Sequence, residues 1–205
     1  MKKHVFLLSL ALLIPLFLST GCSVPLGTGE AVAVGTGGED TALGAVYQKY
    51  LDVPAYKQAR STWCWAASDL MIWDYFGLSP HLYQSDIVRM VVGEVRDTPE
   101  GVSPGPFMVD NGIDYTLVYS PVSKSALIRN INRGRPLIIR TVKLDGKGAH
   151  NLVIYGYYLS AGPGYANLLV YLIDPADGQR KSYDYDYLVR NSTRQWTHTW
   201  NNIHH

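Results

Sequence analysis

Two cysteines stand in the 205 residues, Cys22 and Cys64, and Cys64 is the one placed for chemistry. It follows Gln58-Ala59-Arg60-Ser61-Thr62-Trp63 and precedes Trp65-Ala66-Ala67-Ser68-Asp69-Leu70-Met71-Ile72-Trp73, which reads as a helix. A cysteine on the first turn of a helix faces backbone N–H groups without intrahelical acceptors and the positive end of the helix dipole. Both favour the thiolate, which is the nucleophilic form. Such a nucleophile needs a base beside it, a group that holds the base in one tautomer, and donors for the oxyanion.

Histidine is the natural base. His4 falls in an apolar leader, His81 in a turn, and His198, His204 and His205 in a polar tail. His150 differs, because it opens an apolar strand after Gly146-Lys147-Gly148-Ala149, where slim backbone lets a ring face a cleft. Asp174 and Asp177 are the candidates to orient it. Asp174 is preferred, since it ends the run Leu172-Ile173 just before Pro175. Antiparallel pairing through a turn at 160–166 would put His150 and Asp174 at the same end of a sheet.

The positioning elements follow from pattern. Residues 46–54 are extended. A helix is predicted over 62–76, stopped by Gly77, with apolar residues on more than one stripe and hence buried on most sides. A second helix is predicted over 87–95, capped by Ser85 or Asp86. Residues 97–107 hold three prolines and two glycines and read as a loop bordering a site. A short strand at 114–119 and a third helix at 123–133, capped by Ser123 and ended by Gly134, come next. Residues 136–142, 151–158 and 167–173 are β-branched and aromatic strands, with hairpin connections at 144–148 and 160–164. Residues 183–188 read as a strand, or a strand and a short helix. The tail from Asn191 has no clear assignment. Helices followed by an antiparallel sheet give an α+β fold.

Composition supports one globular domain: 47% hydrophobic, 17% charged, formal net charge +1. No basic stripe suggests a nucleic-acid partner. Fifteen tyrosines against four phenylalanines suit strands with one wet face.

The N-terminus reads as an address. Lys2 and Lys3 precede an apolar run from Val5 to Leu18, which is short for a membrane span and has signal-peptide length. Ser19-Thr20-Gly21-Cys22 resembles the bacterial lipobox, with Ser19 where such sequences usually carry Leu. That resemblance implies a signal peptide over 1–21, a lipidated Cys22 and a membrane held through its lipid; the alternative is an ordinary secreted protein. Ser23 would sort the chain to the outer membrane of a Gram-negative cell. Without Lys2 and Lys3 the charge becomes about −1. Gly- and Thr-rich residues 22–45 read as a tether, and 46–205 as the folded domain. Lipidation of Cys22 removes the simplest alternative, a Cys22–Cys64 disulfide. It leaves Cys64 as a lone thiol in an oxidising compartment.

Gln58, Trp63-Cys64-Trp65-Ala66-Ala67, Gly148-Ala149-His150 before an apolar strand with Gly156-Tyr157, and Asp174-Pro175 together resemble a papain-like cysteine peptidase, specifically its compact bacterial branch. The resemblance covers roughly residues 53–190. It implies a nucleophile helix packed on a C-terminal antiparallel sheet. Cys64 would be the nucleophile, His150 the base and then the acid, and Asp174 the orienter accepting from imidazole Nδ1–H, where many relatives use Asn. Gln58 would donate to the oxyanion with the Cys64 backbone N–H. The substrate would be a peptide or protein, cleaved through a thioester acyl-enzyme, and no cofactor is implied.

Each residue also has a bland reading. A lone cysteine is often a buried small hydrophobe, a lone histidine a satisfied core or surface group, and Asp174-Pro175 a turn. Trp65 and Trp73 read as core, and Trp63 as core or cleft wall. Competing functions are an acyltransferase or deamidase using the same acyl-enzyme, a non-catalytic binding lipoprotein, and a metal site on Cys64 and His150, which no clustered ligand spacing supports.

Overall fold

The computed structural model describes residues 45–97, 102–162 and 165–205. The leader at 1–21, Cys22 with its lipidation, and nearly all of the tether at 22–45 lie outside the described residues, as does part of the 97–107 loop. The elements in chain order are β1 (Ala45–Tyr50), α1 (Cys64–Tyr75), α2 (Gln84–Val92), α3 (Pro106–Asp110), β2 (Asp114–Val118), α4 (Lys124–Asn132), β3 (Leu137–Lys143), β4 (Ala149–Gly162), β5 (Tyr165–Asp174), β6 (Gln179–Asp184), α5 (Tyr185–Val189) and β7 (Arg194–His204). The fold is α+β, as the pattern of the chain implies.

Ten of the twelve residues of α1 are buried, including Leu70, Met71, Ile72 and Trp73. A helix with no polar face lies inside the molecule, and this one packs against β4. Truncating Met71 or Ile72 to Ala would cost ~2–5 kcal/mol through the lost transfer energy and the cavity left behind. α1 starts at Cys64, two residues later than predicted, with Trp63 as its cap residue. Gly77 ends it at φ +65°, donating to Asp74 O at 3.0 Å. All three tryptophans around the thiol are core. That settles Trp63, whose Nε1 donates to Arg96 O at 3.0 Å.

α2 begins three residues earlier than predicted. Asp86 lies within its first turn and reaches back to accept from Tyr83 N–H at 2.9 Å, so it caps from inside the helix rather than preceding it. α4 follows the prediction, with Ser123 Oγ accepting from Ala126 N–H at 3.2 Å.

The sheet runs β2-β7-β3-β4-β5-β6, with β1 beside β4, and all its pairs are antiparallel. β3 pairs with the first half of β4, and β1 takes over the same edge from Gly156 onward. That handover needs glycine. A Cβ at Gly156 would stand 2.7 Å from Lys49 O and 2.9 Å from Tyr50 Cα. Leu137, Ile138 and Ile139 on β3 are buried in succession, so both faces of the sheet are covered there. The unassigned tail is β7. It lies between β2 and β3 and brings Trp196 and Trp200 into the core.

Candidate active site

Cys64 sits at the N-terminal tip of α1 and is 8% exposed. Its backbone N–H belongs to the first-turn donors that a helix leaves without an intrahelical acceptor. Ser68, one turn on, turns its hydroxyl back to Cys64 O at 2.8 Å.

His150 and Asp174 meet as the strand lengths predict. β4 and β5 pair with Val153 opposite Ile173. One step further, Asp174 stands opposite Leu152, on the face of His150 and one diagonal away from it. His150 Nε2 lies 2.6 Å from Asp174 Oδ1. The nitrogen is therefore Nε2 and not the expected Nδ1, which leaves Nδ1 as the nitrogen for the Cys64 thiol. The rival Asp177 does not meet His150; it pairs with Lys181 at 2.8 Å.

Asp174 is held on every side. Oδ1 also accepts from Ala176 N–H at 2.9 Å, and Oδ2 from Lys181 Nζ at 2.7 Å. Burial acts to raise its pKa, but His150, Lys181 and the Ala176 amide outweigh it and hold the carboxylate well below its usual range. Burial works against a charged His150 too. The Asp174 hydrogen bond and the thiol overcome this and push its pKa up to about 9. Cys64 follows the same logic. Burial raises it, while the hydrogen bond and charge of His150, then the backbone and side-chain amides of Asn151, bring it below the ordinary thiol value. The arrangement thus favours a thiolate–imidazolium pair.

Gln58 is brought to the site by a strap. Gln58 N–H donates to Pro175 O at 2.7 Å, tying it to the residue after Asp174. Gln84 braces the same strap, with Nε2 on Lys57 O and Oε1 on Ala59 N–H, both at 2.8 Å. Gly178, at φ +74°, lets the strap pass, because a Cβ there would stand 2.9 Å from Lys57 N. The Gln58 amide itself donates to Arg60 O at 2.8 Å and Ser61 O at 2.7 Å.

Two clefts meet at His150. One, of about 480 Å³, is lined by Gln58, His150, Asp174, Tyr183 and Tyr187. The other, of about 390 Å³, is lined by Cys64, Trp65, Val102, Arg140, Asn151 and His198. Val102 places the proline-rich loop at the site border, as predicted. Among the described residues no group of three His, Cys, Asp or Glu side chains is arranged to hold a metal ion.

The family described as papain-like cysteine protease AvrRpt2 matches residues 47–191. The chain belongs to that family. It is a cysteine peptidase, and its substrate class is peptide or protein. No curated protein matches the chain. The family match ends before β7, so the peptidase carries a central strand of its sheet beyond the matched residues.

Sequence reasoning left out Asn151, Lys181 and Arg140 of this peptidase's site, and set His198 aside with the polar tail. Asn151 Nδ2 lies 3.5 Å from Cys64 Sγ. Its place directly after His150 was a signal available in the chain. The other three come to the site only through cross-strand register.

Proposed function

We propose that this peptidase cleaves peptide bonds through a thioester on Cys64, with His150, Asp174 and Gln58 in supporting roles, from an anchor at the bacterial envelope. The observation that carries the mechanism is the 2.6 Å contact of His150 Nε2 with Asp174, which turns the other ring nitrogen to the thiol. The Cys64 thiolate attacks the scissile carbonyl carbon, and the carbonyl electrons move onto oxygen. That oxyanion takes hydrogen bonds from the Cys64 N–H and from Gln58 Nε2, which turns from one of its two backbone carbonyls to do so. Collapse breaks the C–N bond, and imidazolium His150 gives its proton to the leaving amine. Neutral His150 then takes a proton from water, whose oxygen displaces Cys64 from the thioester. Asp174 stays ionised and holds the ring throughout.

The anchor rests on the sequence of the leader, with Cys22 as the lipidated residue. Among the described residues no helix is long and apolar enough to cross a membrane. Metabolic labelling with a fatty-acid analogue tests the anchor. The full chain incorporates label and sediments with membranes, and Cys22→Ala does neither. Equal labelling of the two chains would overturn it.

The mechanism is tested by alkylation of a chain starting at Ser23, which has Cys64 as its single thiol. The rate stays high well below pH ~8.5, where an ordinary thiol titrates. His150→Ala moves the profile back up. A profile like free cysteine, unmoved by that substitution, would sink the reading.

A further inference from the structure

Three side chains stand in a row across the sheet, starting beside the nucleophile. Asn151 on β4 is opposite Arg140 on β3, and Arg140 is opposite His198 on β7. Residues opposite one another in a ladder share a face. Asn151 contacts Cys64 Sγ, so the row leads from the thiol along the floor of the 390 Å³ cleft.

Two polar atoms in that row have no partner. Arg140 Nε is buried without a hydrogen bond, and Asn151 Oδ1 is buried likewise in a side chain only 1% exposed. Among the described residues Nη1 reaches Ser103 Oγ at 3.5 Å, the outer limit of a hydrogen bond. Among the described residues no carboxylate pairs with Arg140 and none lines the cleft. His198 adds no competing charge near neutrality, since burial and the neighbouring Arg140 both depress its pKa. A cation half-withdrawn from water with an unused donor is costly to keep unless something arrives to meet it. The planar fork of arginine matches a carboxylate bidentately.

We propose that Arg140 is a specificity residue that receives an acidic side chain of the substrate, Asp or Glu, close to the scissile bond. The inference rests on Cys64 being the nucleophile. The cleft opens directly onto the thiol, so a peptide lying across Cys64 places a neighbouring side chain over Arg140. The carboxylate takes two donors from the guanidinium, Nε among them.

The test uses peptide vinyl sulfones, which the thiolate labels covalently, in matched sets carrying Glu, Asp, Gln or Lys at each of the three residues before the electrophile. Cys64 labelling is followed by mass spectrometry, with iodoacetamide alkylation of the same protein alongside. At one position the Glu or Asp probe labels at least about tenfold faster than Gln, as expected for a charge-assisted bidentate contact. Arg140→Lys keeps an acidic preference, and Arg140→Glu inverts the ratio of Glu to Lys probe rates. Each ratio is internal to one variant, so a partial loss of folded protein does not disturb it. Equal rates for all four probes, with iodoacetamide still reporting an activated thiol, would overturn the inference and leave the peptidase mechanism standing. An iodoacetamide profile like free cysteine would overturn both.

Discussion

Asn151 Nδ2 lies 3.5 Å from Cys64 Sγ, one residue along β4 from His150, which hydrogen-bonds the same sulfur. Successive residues of a strand point to opposite faces. His150 therefore reaches the thiol from the side of Asp174, and Asn151 from the side of α1. The sulfur sits at the end of the sheet, where both can touch it.

Asn151 is expected to hold the thiolate. Asn151→Ala removes a donor to the charged form, so the Cys64 pKa rises and the acid limb of kcat/KM moves to higher pH. The loss is about tenfold near neutrality. Asn151→Asp moves the limb further, because a second negative charge faces the sulfur. A pH profile unmoved by both substitutions would make Asn151 a packing residue only.

The alkaline limb reports loss of the imidazolium from the Cys64–His150 pair. The His150 pKa of about 9 is supported by Asp174, so the thiolate–imidazolium pair persists from the lowered Cys64 value up to about 9 and is lost above it. Asp174→Asn withdraws the negative charge, lowers the histidine pKa and shifts this limb downward. The turnover lost is about 10²-fold or more. The two limbs report the pair rather than either residue alone. A D174N enzyme with the wild-type alkaline limb would exclude this role for Asp174.

Gln58 distinguishes bracing from catalysis. If the amide turns to the oxyanion, Gln58→Ala lowers kcat by about 10²–10³ with KM little changed. If it only braces Arg60 and Ser61, the melting temperature falls while kcat per folded molecule holds. Parallel kinetics and thermal melts on this one variant decide it.

Asp69 lies on α1, fully buried, with neither carboxylate oxygen in a complete hydrogen bond. Burial raises its pKa well above the usual range, and the nearby Gly105 N–H offsets only part of this, so the folded protein holds it neutral. Below pH ~3.9 the unfolded chain is protonated as well, and the group has no pH-linked effect. Above that value the unfolded chain gives up the proton while the folded one keeps it, so stability falls as pH rises. Asp69→Asn should therefore raise stability more at pH 8 than at pH 4, read as a larger gain in Tm at the higher pH. Equal shifts at the two pH values would show the carboxylate to be ionised in the fold.

Cys64, His150 and Asp174 were legible in the chain because each stands at the end of a continuous apolar run bordered by turn residues. Counting residues up one strand and down the next was enough to bring the latter two together. The tail was not legible, for a physical reason. Its buried residues are Trp196, Thr199, Trp200 and Ile203, a spacing that imitates one face of a helix. The strand acquires that spacing from a register shift against β3 near Arg140 and from Asn202 at φ +56°, each of which breaks the alternation of faces. Because β7 was unread, so was the opposition of His198 to Arg140. Lys181 escaped for a similar reason: nothing local to β6 says that its ammonium bridges two carboxylates on a neighbouring turn. The nitrogen of His150 that meets Asp174 depends on ring rotation, to which sequence is blind.

The placement of β7 also sets an order of events in synthesis. A nascent chain that has emerged only as far as Asn191 already contains Cys64, His150, Asp174 and Gln58, yet its sheet is split. β2 and β3 each present an open edge where the missing strand belongs, and Ile138 and Ile139 have lost the partner that covers them. The nucleophile is then chemically present on an unfinished scaffold. The complete sheet beneath the Cys64 helix therefore has to wait for an insertion between two strands already made.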